Sequence, residues 1–273
     1  MYQVTTHITS DKVVANNESR LSICLRSNGF SFAIATLDHT LTAFGETEFD
    51  FNLPLGSLTQ SVKQFFADQH INTFGFKQAN LVVQSDNFVW IPAALYDSVR
   101  DRQYLKLIGR PAMDMGVYHL YVDAMKSYIV FAAPATVVTA FKVALPGIDV
   151  HCQHSVFAND YLLGRSLKHP IMLMNVRERV GDFDAFYNGK LLFCNSCSAT
   201  SDSELLYHAL EIMKTLHLET PDMELAISGN VGRDIFALLQ HYFPNVTLYT
   251  GHPMQQVLPE FQTFHTFQHV LLL

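Results

Sequence analysis

One order of predicted secondary-structure elements, three strands followed by a helix and a strand, occurs twice along the 273 residues of the chain. Three apolar or alternating runs begin at Leu21 and are separated by turn sequences at hairpin spacing, which predicts a three-stranded meander. A helical pattern over 57–70 and a short buried-type strand follow. From Ile171 the same order returns, with a second meander, a helix over 202–216 and a strand. The pattern indicates an internal duplication in which the topology, and not the sequence, is repeated.

The second copy continues into a glycine turn and an amphipathic helix over 233–242. Glycines at such a turn let a backbone approach a ligand closely, because no Cβ is in the way. The same turn also serves as a tight strand-to-helix connection, and one short motif does not decide between the two. The candidate cofactor-binding residues are Ser228, Gly229, Asn230 and Gly232.

The first copy contains an insertion, residues 88–145, that the second copy lacks. Its pattern predicts an extension of the preceding strand, a helix over 96–108, a pair of strands broken at Lys126, and a last helix that starts with Pro134. The chain is therefore divided into a loosely tied N-terminal arm (1–20), a first half with the insertion (21–155), and a linking helix with the second half (156–273).

Composition excludes several classes of function. Apolar residues make up 49% of the chain, which is ample for a buried core, and acidic residues outnumber basic ones by 25 to 18. Without a Lys/Arg-rich run, nucleic acid is not an expected partner. The N-terminus lacks a secretory pattern, the longest apolar stretch is too short to span a bilayer, and four cysteines are too few for a disulfide framework. A cytoplasmic protein without a transmembrane segment is predicted.

The layout from Leu21 to about Tyr249 resembles the actin-like ATPase fold. The insertion order helix, strand, strand, helix, with VFAAPATVVTAF entering the last helix, is similar to the cytoplasmic actin-like proteins of type IV pilus and type II secretion platforms. The chain also resembles an uncharacterised family with this fold. The resemblance implies a duplicated α/β, ribonuclease H-like fold with two β-β-β-α-β-α-β halves around a cleft and an α-β-β-α insertion in the first half.

The resemblance also implies where nucleotide phosphates bind. In active members the first hairpin of each half carries an Asp that holds hydrated Mg²⁺ and a small turn whose N–H groups surround the phosphates. Here Cys24 and Asn175 stand near the two Asp positions, and the second turn is bulky and charged. Arg26, Arg177 and Arg179 at these turns either attract phosphate or are solvated surface charges. Of the nucleotide elements, the glycine turn alone matches, so neither ATP hydrolysis nor a cofactor is expected.

Catalytic candidates are few. In such enzymes the water-activating polar residue lies on or near the linking helix, where this chain has Asn159 and Asp160. An Asp at this place also serves as a helix cap, which is a purely structural role.

Cysteines and histidines support a second hypothesis, zinc binding. The candidate ligands are His151, Cys152, His154, Cys194 and Cys197. Residues i and i+3 of a strand point to opposite faces, so the last two cysteines converge only if their strand ends between them. The sequence indicates a strand end there, which keeps the hypothesis open. The alternative is that the cysteines are small buried apolar residues.

The favoured function is a non-catalytic scaffold or protein-interaction module, a pseudoenzyme relative of the actin-like ATPases. The alternative is a weak ATP-binding switch, or an ATPase or kinase, that uses the turn at 229–232, and the third hypothesis is a zinc-binding protein. A protein partner is expected at the insertion, 88–145, where an open strand edge would accept another chain. The insertion alternatively serves only to cover the first sheet.

Overall fold

The computed structural model describes residues 2–9, 18–38, 40–71, 75–164, 169–178, 180–229 and 231–249. The strands are β1 (Tyr2–Thr9), β2 (Ser19–Arg26), β3 (Gly29–Thr36), β4 (Leu41–Phe49), β5 (Gln78–Val83), β6 (Phe88–Pro92), β7 (Met115–Val122), β8 (Ser127–Pro134), β9 (Asp149–Cys152), β10 (Ile171–Arg177), β11 (Val180–Tyr187), β12 (Lys190–Ser198), β13 (Glu224–Gly229) and β14 (Val246–Leu248). The helices are α1 (Leu55–Asp68), α2 (Asp101–Leu105), α3 (Ala135–Ala144), α4 (Gln153–Gly164), α5 (Asp202–Thr215) and α6 (Arg233–Tyr242).

Two sheets share one topology. The first has the strand order β1-β4-β3-β2-β5-β9 and the second β12-β11-β10-β13-β14. In each, an antiparallel meander is followed by a strand parallel to its first member, β5 beside β2 and β13 beside β10. The helix between these parallel strands, α1 or α5, returns the chain to the same end of the sheet. The predicted α/β fold of two similar halves is confirmed.

The apolar core joins the halves. One buried cluster contains Phe30 and Phe65 of the first half together with Leu173 and Phe186 of the second. A separate cluster lies between the second sheet and helices α5 and α6. The buried residues of α1 recur at helical spacing along one face; they are Leu58, Val62, Phe65 and Phe66. Among the helices that the structure describes, none combines the length and the apolarity that a membrane crossing requires.

Residues 2–9 differ from the arm that the sequence predicts. They form β1, which pairs antiparallel with β4 from Tyr2↔Phe49 to Thr9↔Ala43. The run YQVTTHIT is rich in Thr and contains Val and Ile, and these β-branched residues favour strands. Its polarity suggested a loop, whereas an edge strand tolerates polar residues because one side faces solvent.

The insertion differs from its prediction in two places. β6 does not extend β5; it pairs with β8 in a separate sheet of order β6-β8-β7. The helix predicted over 96–108 is reduced to α2, flanked by 3₁₀ turns, and Leu105 is its buried residue. A helix with one buried side chain gains little from packing, which explains its shortness. The break at Lys126 is confirmed, with φ of 48°, and Pro134 precedes α3 as its N-cap.

Two further differences shape the candidate site. The linking helix α4 begins at Gln153, three residues before residue 156, where the sequence placed the start of the segment that contains it, and follows β9 directly. β12 continues to Ser198, so the strand end predicted near Cys194 is wrong. His154 therefore lies in the first turn of a helix, and Cys194 lies within a strand.

Candidate functional site

The hairpin turns of the two halves meet where the resemblance places the phosphates. Ser27 of the β2–β3 turn donates to Glu178 of the β10–β11 turn, with 3.4 Å between Oγ and Oε2. Arg26 contacts Glu46 at 3.2 Å. The Nη2 atom of Arg177 contacts Oδ1 of Asp182 at 2.7 Å and lies within 2.5 Å of the carboxylate of Asp86. Two of the three arginines that the sequence offered as phosphate ligands or solvated charges, Arg26 and Arg177, thus pair with carboxylates of the chain, and Arg179 lies outside the described residues.

Cys24 and Asn175, which stand near the two expected Asp positions, both contact other residues of the protein. Cys24 is buried against Val82 and Val156, and burial raises the pKa of its thiol to about 12. Asn175 donates from Nδ2 to Asp182 at 3.1 Å and accepts at Oδ1 from Ser228 at 3.0 Å. A thiol and a neutral amide carry no negative charge with which to hold Mg²⁺.

At the first glycine of the turn, the backbone geometry itself requires a residue without a Cβ. Gly229 has φ of 85°, and a Cβ there would lie 2.2 Å from the carbonyl oxygen of Val176, its partner in the β10–β13 pairing. Gly232 has φ of −78° and open space where a Cβ would stand. Ser228 is hydrogen-bonded to Asn175, and Asn230 lies outside the described residues. Adenosine binding by this turn remains a prediction.

A buried polar network lies beside the hairpins. Asp182 and Asp184 are two residues apart on β11, so they share a face, and their cross-strand partners are Ser196 and Cys194 of β12. His154 comes from the first turn of α4, and its side chain and both carboxylates are at most 1% exposed. The contacts are His154 Nδ1 to Asp184 Oδ2 at 2.8 Å, His154 Nε2 to Ser196 Oγ at 3.1 Å, Ser196 Oγ to Asp182 Oδ1 at 2.6 Å, and Cys194 Sγ to Asp184 Oδ1 at 2.9 Å.

The charges of this network balance. Burial disfavours the charged form of His154, but the carboxylates of Asp184 and Asp182 outweigh it and raise the pKa of the imidazole. Burial likewise opposes ionisation of Asp182, and His154 and Arg177 outweigh it and lower the pKa of that carboxyl. Two cations thus neutralise two carboxylates in the interior, where unpaired charges are strongly unfavourable.

The order Asp184, His154, Ser196 matches the arrangement that activates a nucleophilic serine. A general base must, however, be neutral before it accepts a proton. Ser196 donates its hydrogen to Asp182 at 2.6 Å, so its oxygen accepts from His154 Nε2, while Nδ1 donates to the carboxylate of Asp184 at 2.8 Å. Both ring nitrogens are therefore donors. The geometry therefore holds charges in place and does not activate the hydroxyl.

The structure brings together part of the predicted metal-ligand set. His154, Asp184 and Cys194 offer ligand atoms that all lie within 4.8 Å of one another. Cys197 packs against the second core on the opposite face of β12, and Cys152 is buried in the first. Within the described ranges, neither cysteine joins this cluster.

His151 also lies apart from the cluster in the described part of the chain. Burial lowers the pKa of its imidazole, and no described residue hydrogen-bonds to either ring nitrogen. It therefore differs from His154, whose two ring nitrogens both have partners.

The two aspartates of the network were missed in the sequence. Their signal was present: Asp182 and Asp184 alternate with apolar residues in GDFDAFY, a run predicted to be a buried strand. Carboxylates on the inner face of a strand need a cation or hydrogen-bond donors. The identity of those partners depended on α4 and β12, which are distant in sequence.

An open cleft adjoins the network on the side of Cys194. It has a volume of about 460 Å³ and is lined by Asp86, Asn87, Phe88, Val89, Trp90, Ile108, Cys194 and Asn195. Trp90 lies in contact with Cys194, with Nε1 3.5 Å from Sγ. The thiol is thus shared by the cleft and the buried cluster.

The catalytic candidates lie on the linking helix, as expected. Asn159 is half-buried on α4, and the side chain of Asp160 lies outside the described part of the structure. Because α4 begins at Gln153, Asp160 is in the middle of the helix, and the alternative role as its cap is wrong. A role for either residue in catalysis remains a prediction.

Solved structures of similar shape support the fold. A protein of Bacteroides thetaiotaomicron, described as having an actin-like ATPase fold and unknown function, is 21% identical, with a TM-score of 0.72 over 86% of this chain and 91% of that chain. A chain of the PilM–PilN type IV pilus biogenesis complex is 11% identical, with a TM-score of 0.59 over 89% of this chain and 92% of that chain. These similarities confirm the resemblance to actin-like proteins.

Sequence comparison assigns the family. No curated protein gives a significant match to the sequence. Residues 10–246 match the model of a family described as "Protein of unknown function (DUF3822)". The match covers most of the chain, and the protein therefore belongs to the DUF3822 family.

Proposed function

We propose that this protein is a non-catalytic actin-fold scaffold that binds an acidic, apolar segment of a partner protein on its insertion. The observation that carries the proposal is the exposed segment, residues 92–114. All of its residues are exposed except Tyr96, Asp101, Tyr104, Leu105 and Pro111. Its large exposed apolar side chains, with their exposed fractions, are Leu95 (71%), Val99 (88%), Leu107 (76%), Ile108 (53%) and Met113 (102%).

Such a concentration of exposed apolar side chains is typical of an interaction site. The segment lies over the sheet β6-β8-β7 through Leu105, Tyr96 and Tyr104, which pack on its small apolar core. The other side chains of the segment do not contribute to that core. The segment therefore does more than cover the sheet beneath it.

The charged side chains of the exposed segment indicate which kind of partner segment it would bind. Within the exposed segment, Asp97 pairs with Arg100, and Asp101 pairs with His119 at 2.7 Å. No carboxylate of the described residues lies within ion-pair distance of the remaining cations, which are Arg102, Lys106 and Arg110. Asp114 is the third carboxylate of the segment, whose four Lys/Arg and three Asp give a formal charge of +1, whereas the whole chain carries −7. This weakly basic and apolar surface favours a segment that combines apolar side chains with carboxylates.

The β2–β3 and β10–β11 hairpins support the non-catalytic part of this proposal. Cys24 and Asn175 supply no anionic magnesium ligand, and Arg26 and Arg177 are held by carboxylates. Proteins of this fold also serve in assemblies, since PilM is found in a complex with PilN. A scaffold role needs the fold and a binding surface, and it needs no phosphate chemistry.

Site-specific photo-crosslinking in the native cell tests the proposal. A photoreactive residue is placed at Val99, and a matched one at Tyr207, which is 58% exposed on α5 of the second half. We expect a protein adduct from position 99, with the linked peptide rich in Asp, Glu and apolar residues, and none from position 207. The adduct should disappear in the triple variant Arg102→Glu, Lys106→Glu, Arg110→Glu.

Three results would overturn the proposal. They are no adduct at position 99, the same adducts at both positions, or an adduct that survives the charge reversal. An adduct with lipid in place of protein would likewise overturn it and assign the surface to an anionic membrane.

A further inference from the structure

We propose that His154, Asp184 and Cys194 form a binding site for one zinc ion, entered from the cleft beside Trp90. The inference does not rest on the scaffold proposal, because its three ligands come from α4, β11 and β12 and none of them belongs to the exposed segment, although Ile108 of that segment lines the cleft. Imidazole, carboxylate and thiolate are ligands that Zn²⁺ takes, whereas Mg²⁺ and Ca²⁺ favour oxygen alone.

The distances fit a tetrahedral ion after a small movement. Zinc with bonds of roughly 2.0–2.3 Å places neighbouring ligand atoms roughly 3.3–3.6 Å apart. His154 Nδ1 and Cys194 Sγ lie 2.8 and 2.9 Å from oxygens of Asp184, and all three ligand atoms fall within 4.8 Å of one another. Each of these two contacts must open by about 0.5 Å to reach the spacing of zinc ligands. Three ligands leave a fourth position for water.

Two of the three ligands, His154 and Cys194, already have outer partners of the kind that such sites use. His154 Nε2 contacts Ser196, which donates to Asp182, and this chain fixes the ring so that Nδ1 faces Asp184. The ring of Phe88 lies 4.1 Å from the imidazole, centroid to centroid, and holds its plane. The indole N–H of Trp90 points to Cys194 Sγ at 3.5 Å and would stabilise a thiolate.

The exchange conserves charge. In the described state, the contacts from Nδ1 and Sγ to Asp184 each place one hydrogen between ligand atoms. On binding, Zn²⁺ forms bonds to Nδ1, Sγ and a carboxylate oxygen, and the two displaced protons pass to water. Two positive charges leave and two enter, so the balance with Asp182 and Arg177 is kept.

The test is metal binding by the full chain. The protein is treated with a chelator, incubated with zinc sulfate, freed of excess metal and analysed for bound zinc. A parallel sample is titrated with Co²⁺, whose thiolate charge-transfer band and tetrahedral visible bands report a Cys ligand. The variants are Cys194→Ser, in which the hydroxyl keeps a hydrogen bond to Asp184, and the control Cys197→Ser on the opposite face of the same strand.

We expect about one zinc ion per chain and a cobalt–thiolate band in the unmodified protein and in Cys197→Ser. Cys194→Ser should lose the band and bind zinc at least about tenfold more weakly. The proposal is overturned if the unmodified protein retains no zinc, if its cobalt complex lacks a thiolate band, or if Cys194→Ser binds zinc as tightly. The cobalt band of the unmodified protein decides the matter even if the serine variant fails to fold.

Discussion

Arg177 of the second half and Asp86 of the first half form an ion pair across the hairpin junction, with Nη2 and Oδ1 2.5 Å apart. The same Nη2 contacts the fully buried Asp182 at 2.7 Å. A nucleotide phosphate in this position would have to displace two carboxylates from one guanidinium and lie near both of them. The pair therefore stabilises the junction of the halves and opposes the binding of an anion.

Removal of the Arg177 side chain should destabilise the fold. Arg177→Ala leaves Asp182 buried without one of its two cations, and loss of one partner of a buried pair costs about 3–5 kcal/mol. Urea denaturation measures the free energy of unfolding. The control is Lys126→Ala, which breaks the exposed pair with Asp123 and should leave that free energy unchanged within error. Equal effects of the two variants would show that the buried pair has no special role.

The two glycines of the turn should respond differently to alanine. Gly229→Ala forces a Cβ into a left-handed conformation and against the Val176 carbonyl, so a loss of more than about 2 kcal/mol of unfolding free energy is expected. Gly232→Ala meets open space at a φ that any residue adopts, but Gly232 is the N-cap of α6, where alanine is disfavoured, so a smaller loss of about 0.5–1 kcal/mol is expected. Thermal or urea denaturation compares them, and a neutral Gly229→Ala would refute the structural account of that glycine.

His154 should make stability depend on pH. Its pKa is raised in the folded protein, so its contribution is complete below the unfolded value of about 6.5 and is lost as pH rises through the folded pKa. The free energy of unfolding should fall as the pH rises above about 6.5, by at most about 1.4 kcal/mol per pH unit. His154→Gln should lack this decline. Parallel curves for the two proteins would contradict the assigned charge.

The repeat and its helices were predictable because they depend on local patterns. Alternating apolar runs between turn residues gave both meanders, and the 3.6-residue period gave the inward face of α1. α6 has the predicted bounds, Arg233–Tyr242, because a glycine precedes it and its apolar stripe is regular. For these elements, the sequence pattern that predicts the structure lies within about fifteen consecutive residues.

The remaining elements depend on partners distant in sequence. β1 forms because the edge of β4 is available to a Thr-rich run, and α2 is short because Leu105 alone is buried. His154 meets Asp184 only because α4 starts immediately after β9 and β11 crosses beneath it. No local pattern reports such a pairing, so the cluster of His154, Asp184 and Cys194 was predicted only in part.

The most direct test of the non-catalytic account is a thermal-shift titration of the purified chain with Mg²⁺ and ATP or ADP, combined with a phosphate-release assay. The account predicts an unchanged unfolding midpoint and no Mg²⁺-dependent turnover, because Cys24 and Asn175 provide no carboxylate for the ion and Arg177 is already paired. A stabilisation that grows with nucleotide concentration, reaching about 2.7 kcal/mol at roughly 100 times the Kd, would contradict it. So would turnover that disappears in Asp160→Asn.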